Sequence, residues 1–435
     1  MSDIIIIGAG ISGLGASYAL RSKGLNPIVL EKDATYGGLC GNFETLPGFR
    51  FDRFVHLSFA KDPEIRSLFN RGANEEVITH IPNPYNIYKR QWIKHPAQNN
   101  LFPLSEEEKA KIIEDFKRRP ADIDIDSLEN YEQWLRVQYG DTFAERFPMQ
   151  YTPKYWMREA KDLETRWVGQ RMYQPSIEEV VQGAQTTDTP VTYYAKQMRY
   201  PAKGGYKSFL GELAKDADIR YNEEVVAINP ENKTVKTSSG NVYHYDRLIS
   251  SMPLPVLINA LRPFVPAEIS ETAKKLRCTS GYIISIALKG EDLPPYLWWY
   301  IYDHDILPAR VYSPSLKSRD NVPEGCSSLQ LEVYCAEDQY SREELLEKSV
   351  KPLVEMGIIK EENILDIDIR FEPWANVIFT PDIYKTREKI INFVRSLGIE
   401  PIGRFGLWDY LWTDQSLQTG LKIKHDSRHI NSYIQ

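Results

Sequence analysis

A short β-branched run, Asp3-Ile4-Ile5-Ile6-Ile7, passes directly into Gly8-Ala9-Gly10-Ile11-Ser12-Gly13, and this junction constrains the chain more than any other feature. Continuous apolar residues of this kind suit a strand buried on both faces of a parallel sheet. Leu14 to Lys23 then reads as a helix ending at Gly24, and Pro27-Ile28-Val29-Leu30 as a second strand closed by Glu31. Strand, helix, strand implies a right-handed crossover between parallel strands. Within the loop, Gly8 permits the tight turn, Gly10 lets the backbone approach a pyrophosphate, and Gly13 lets helix and strand pack closely. The helix start at Ile11 and Ser12 offers unpaired N–H groups to phosphates. Glu31, with Lys32 after it, stands where an acid accepts hydrogen bonds from ribose hydroxyls.

Which dinucleotide the loop holds is read from the next glycines. Tyr36-Gly37-Gly38-Leu39 follows Glu31 closely and extends the pyrophosphate cradle, which favours FAD over NAD. An ordinary turn is the alternative reading of that pair.

The rest of the chain narrows the class. At 435 residues there is room for two or three domains and a large core, so stability needs no disulfide or structural metal. A formal charge of −7 argues against a basic nucleic-acid surface. The four cysteines (Cys40, Cys278, Cys326, Cys335) are far apart, and the seven histidines lack metal-ligand spacing. No signal peptide or membrane-spanning run is evident, so the expectation is a soluble cytoplasmic enzyme. Glu106 to Lys117 reads as a helix, and a further amphipathic run begins at Asp126-Ser127. Arg220 to Ile228 and Thr234 to Thr237 read as strands joined by a turn, with Val226 placed toward the cofactor. Ile283 to Leu288 and Ser327 to Tyr334 read as strands of a second sheet, and Lys385 to Leu397 as a late helix.

These segments, taken together, resemble the FAD-binding amine-oxidase superfamily, which includes monoamine oxidases, protoporphyrinogen-type oxidases, phytoene desaturases and UDP-galactopyranose mutases. The N-terminal unit and Gly48-Phe49-x-Phe51-Asp52 carry the general resemblance. Later motifs are similar to the mutases: Tyr131-Glu132-x-Trp134, Tyr151-x-x-Lys154-Tyr155-Trp156, Trp167-x-Gly169-x-Arg171, Pro201-Ala202-Lys203-Gly204-Gly205 and Gly403-Arg404-Phe405-Gly406-x-Trp408-x-Tyr410 with Asp414-Gln415. The implied fold class is α/β: a Rossmann-type FAD-binding domain with inserted helical and antiparallel-sheet substrate domains. Residues 1–60, 200–265 and 380–435 would form the discontinuous FAD domain, 61–199 a mainly helical insertion, and 266–379 the sheet domain.

The same resemblance implies the roles. Gly403, Arg404, Asp414 and Gln415 would meet the flavin, and Arg171 and Arg310 the substrate pyrophosphate. Tyr384 and Tyr410 would contact the same diphosphate, and His56 the flavin edge. The implied reaction is isomerisation of a nucleotide sugar between pyranose and furanose forms, for surface-glycan synthesis. Reduced flavin would act as nucleophile at the anomeric carbon, with NAD(P)H or another reductant as electron source. Two departures stand out: Phe54-Val55 precede His56 where the mutases carry Gly-Gly, and Asp414 replaces an asparagine. Phe and Val adopt positive φ only at a cost, so the expectation is that this loop takes another path. A true oxidoreductase of the superfamily, removing hydride from a C–N or C–C bond, is the alternative. A flavoprotein with a purely structural FAD is a third. Cationic groups at the site would favour the mutase and an aromatic cavity the oxidase. Oligomeric state stays open.

Overall fold

The computed structural model describes residues 4–120, 122, 124–169 and 171–423. Asp3 and residues 424–435 lie outside the described residues.

The first strand, β1 (Ile4–Ile7), the helix α1 (Ile11–Arg21) and the second strand, β2 (Ile28–Leu30), form the expected unit. They sit at the centre of a five-stranded parallel sheet, in the order 399–401, 247–250, 4–7, 28–30, 218–220. Three widely separated parts of the chain therefore build one sheet, and its middle strands are buried on both faces, as their unbroken apolar runs require. α1 lies between this sheet and the helix Thr413–Leu421, so both of its sides are covered. Its small residues allow this. A Cβ on Gly13 would stand 1.9 Å from the Gly8 carbonyl oxygen, a distance no side chain can occupy.

A second, seven-stranded sheet runs in the order 364–372, 281–289, 326–334, 310–312, 298–301, 85–88, 91–94. Every neighbouring pair is antiparallel except 298–301 with 85–88. The stretch 61–199 thus supplies the hairpin Tyr85–Lys94 to this sheet besides its helices. A three-stranded meander (225–229, 234–237, 242–244) covers one side of the nucleotide-binding half.

Several local readings meet small corrections. The helix Glu106–Lys117 has the expected ends because Ser105 caps it through the Glu108 amide. The run expected from Asp126 becomes a helix only at Tyr131, where Asn130 caps it. Arg220 to Ile228 is not one strand: residues 218–220 join the parallel sheet and 225–229 the meander. No helix among the described residues is long and apolar enough to cross a membrane.

Candidate active site

Between the two sheets lies one large cavity of about 550 Å³. Gly8, Gly10, Ile11, Ser12, Glu31, Lys32, Gly38 and Leu39 line one end, and Gly403 and Arg404 return from the C-terminal part to join them. Gly10 caps α1 without a side chain, and Leu14 makes the first internal bond, to the Gly10 carbonyl. The amides of the first turn thus have no partner within the helix. A Cβ on Gly10 would meet nothing within 4 Å, so the space beside it is open to a phosphate. The Gly37-Gly38 turn packs directly against this loop. Gly37 donates its N–H to the Ala9 carbonyl at 2.9 Å, and Gly38 has φ 55°. Glu31 is buried, accepting N–H groups from Ala9 (2.6 Å) and Asp33 (2.9 Å), and burial raises its pKa above the ordinary carboxylate value. Glycines, free amides and a fixed carboxylate in this order fit the pyrophosphate and ribose of FAD.

The other end is aromatic. Tyr155, Tyr193, Tyr194, Trp298, Tyr300, Tyr334, Tyr410 and Trp412 line it, with Arg310 among them. The Trp298-Trp299-Tyr300 strand divides by period two: Trp298 and Tyr300 face the cavity, whereas Trp299 is wholly buried in the core behind. The Tyr155 and Tyr410 hydroxyls lie 3.2 Å apart. Lys154 fixes the helix carrying Tyr155 by donating to the carbonyls of Ile301, Asp303 and Ile306, and burial lowers its pKa to about 7.

His56 lines the cavity where the two ends meet. Its Nδ1 lies 3.2 Å from the Phe54 carbonyl oxygen, which can only accept, so Nδ1 carries the proton and Nε2 is left as an acceptor. Burial lowers the imidazole pKa to about 4; nearby Asp52 opposes that shift and Lys317 reinforces it. The ring packs on Tyr206 at 4.8 Å. The expectation that the His56 loop avoids a positive φ is overturned, because Phe54 adopts φ 62°. Two contacts hold it there. Its ring stacks on Tyr334 at 6.1 Å and 3°, and the next amide, Val55 N–H, donates to Glu332 Oε1 at 2.9 Å.

Arg310 belongs to the same assembly. It stands opposite Glu332 in the strand register and donates to Glu332 Oε2 through Nε (2.9 Å) and Nη2 (2.6 Å). Burial is the largest single influence and works against its charge, but Glu332 and the surrounding Tyr334, Tyr155 and Tyr151 hydroxyls together outweigh it and hold the guanidinium protonated beyond its ordinary range.

Six expected residues do not reach the cavity wall. Val226 is 45% exposed and points away; Val225 lines the cavity instead, because a strand alternates its faces. Arg171 is turned to backbone carbonyls, those of Trp167 (2.8 Å) and Tyr410 (2.9 Å), and stacks behind Tyr410 and Trp412. Tyr384 lies between Arg166 and Arg387. Asp414 and Gln415 occupy the first turn of the helix Thr413–Leu421, whose Thr413 and Ser416 line the cavity in their place. Gly13 sits beneath the cradle as a packing residue. Sequence reasoning missed Glu332. Its signal was the alternation of Gln330, Glu332 and Tyr334 with Leu329, Leu331 and Val333, which marks one polar face.

Comparison with known proteins agrees with this geometry. The profile described as flavin containing amine oxidoreductase matches residues 11–375. A rat protein, pyridine nucleotide-disulfide oxidoreductase domain-containing protein 2, is 29% identical over 137 residues, 31% of this chain and 23% of that one. Phytoene desaturase of Neurospora crassa is 25% identical over 324 residues, 65% of this chain and 53% of that one. This chain thus spans from about a quarter to about half the length of these curated relatives. A solved structure of reduced UDP-galactopyranose mutase superposes with a TM-score of 0.90 at 25% identity, covering 97% of this chain and 92% of that one.

Proposed function

Because the chain belongs to the flavin-containing amine oxidoreductase family, with FAD as its cofactor, we propose that it is a sugar-nucleotide mutase. It would interconvert the pyranose and furanose forms of a UDP-sugar for surface-glycan synthesis. The observation carrying this reading is the likeness to reduced UDP-galactopyranose mutase over nearly the whole of both chains. Reduced FAD, replenished by NAD(P)H or another reductant, would supply the nucleophile.

The chain's own residues would bind and orient. Glu31 and the Gly8–Gly13 loop hold the nucleotide end of FAD. Arg310, with Nε and Nη2 fixed on Glu332, keeps Nη1 for the diphosphate that leaves, and a held guanidinium loses little freedom on binding it. His56, neutral with Nε2 as acceptor, would accept a hydrogen bond from a donor on the bound flavin. The Tyr155–Tyr410 hydroxyl pair offers donors to the sugar-phosphate, and the aromatic walls exclude water. Arg171 supports Tyr410 and Trp412 from behind, and meets the diphosphate itself only by releasing two carbonyls.

The test is turnover of a UDP-sugar by purified holoenzyme, with the flavin oxidised or reduced. Activity is expected only after reduction. Arg310→Ala and Arg171→Ala should each lower kcat/KM by roughly ten- to a thousand-fold with FAD content unchanged. Turnover by fully oxidised enzyme, or undiminished activity in both variants, would overturn the reading. The aromatic lining favours a second reading, an oxidoreductase acting on a C–N or C–C bond. In that case an organic substrate bleaches the oxidised flavin anaerobically, and oxygen restores its colour.

A further inference from the structure

We propose that Glu332 is a positioning residue that sets both the Phe54–His56 turn and Arg310 against the flavin. Its side chain is wholly buried, and its two oxygens serve different walls of the cavity. Oε1 accepts the Val55 N–H, and Oε2 accepts Arg310 Nε, Arg310 Nη2 and the Tyr334 hydroxyl at 2.8 Å. A buried Glu–Arg pair is ordinarily a structural feature. Here one oxygen does a different job. Phe54 sits at φ 62°, a conformation that side chains bearing a Cβ adopt at a cost, and such strain persists only where surrounding bonds over-determine it. The Val55–Glu332 bond lies one residue after the strained position, and the Nδ1 bond of His56 closes back onto the Phe54 carbonyl. Releasing Glu332 would therefore let the turn relax and carry the His56 ring off Tyr206, while Arg310 would lose its fixed direction. The turn half of this inference needs only FAD binding; the Arg310 half rests on the substrate reading above.

The experiment uses four holoproteins: Glu332→Ala, the double variants Phe54→Gly/Glu332→Ala and Phe54→Ala/Glu332→Ala, and wild type. Visible circular dichroism of bound flavin, FAD affinity and UDP binding are measured on each. Glu332→Ala should alter the flavin dichroism and weaken FAD by roughly tenfold to a hundredfold. Glycine at 54 removes the strain and should restore the flavin signature. Alanine at 54 removes the same ring but keeps the strained Cβ, and should not. Neither double variant should regain UDP binding. Should Glu332→Ala fail to fold, Glu332→Asp, too short to reach both walls, should move the same readouts in the same direction. Unchanged dichroism in Glu332→Ala, or equal rescue by glycine and alanine, would leave Glu332 a structural residue and overturn the inference. Absence of UDP binding in wild type would instead overturn the substrate reading and leave the dichroism result standing.

Discussion

Replacing Lys317 by Met should cost more stability than almost any other single change away from the nucleotide loop. Lys317 ends the short helix Pro314–Lys317, and its ammonium lies 2.7 Å from Asp52 Oδ2, with both side chains wholly buried. Asp52 also accepts the Tyr200 hydroxyl (2.7 Å) and the Tyr206 N–H (3.0 Å), so it joins three chain segments beneath His56. The ammonium in turn lies over the Tyr200 and Tyr312 rings, at 4.8 and 5.0 Å. Methionine keeps the apolar stem but leaves Asp52 an uncompensated buried charge, which costs about 3–5 kcal/mol. With unfolding entropy near 2.1 cal/mol/K per residue, that is a midpoint lower by roughly 3–5 °C for a chain of this length. Urea unfolding followed by tryptophan fluorescence measures it directly. Asp52→Asn should lose a similar amount. The double variant Asp52→Asn/Lys317→Met, holding no buried charge, should recover at least ~2 kcal/mol of the summed losses. Strictly additive losses, or a loss under ~1 kcal/mol for Lys317→Met, would refute the claim that this pair is electrostatically coupled.

Three further outcomes are expected. Gly420→Ala places a Cβ 2.1 Å from the Ser12 carbonyl oxygen and 2.6 Å from the Ala16 nitrogen, so the helix Thr413–Leu421 must lift from α1. Differential scanning calorimetry should show a loss of about 1–3 kcal/mol, with FAD retained more weakly. Glu31→Ala removes ribose acceptors and orphans two backbone amides; equilibrium dialysis should find FAD binding weaker by about 1.5–3 kcal/mol. Acid stability carries a histidine signature, since burial lowers His56 to about 4 and His95 to about 3. Both are neutral in the fold and titrate near 6.5 when unfolded, so their contribution is complete above about pH 6.5 and is lost as pH falls toward those folded values. Tm plotted against pH should bend downward below about 6.5, and His95→Gln should flatten the slope; an unaltered slope would contradict it.

Much of the nucleotide-binding half was legible without coordinates. β1, the glycine loop, α1 and β2 are consecutive, and each announces itself through local chemistry: β-branched runs, backbone freedom, a terminal acid. The turn at Gly37-Gly38 was equally readable, for the same reason. The resemblance also brings Gly403 and Arg404 from the C-terminal part of the chain to the cavity end lined by the glycine loop, where Gly403 packs beside Ser12.

What the chain alone could not reveal depends on which face a strand presents and which distant segment lies across from it. Val226 and Val225 look alike in sequence; only the pairing of residues 225–229 with 234–237 decides that Val225 lines the cavity. Arg310 reads as a free cation until register brings Glu332 opposite it. Arg171 reads as a diphosphate ligand until two carbonyls take its guanidinium. Phe54 is the sharpest case. Local sterics rule against its φ of 62°, yet a carboxylate from a distant strand captures the following amide and holds the turn. Local preferences of one or two kcal/mol yield to tertiary bonds made in a buried, low-dielectric site, where leaving an amide unpaired costs as much or more. The glycine cradle is written in consecutive residues; which side chains line the aromatic end of the cavity is decided only by strand register and packing between distant segments.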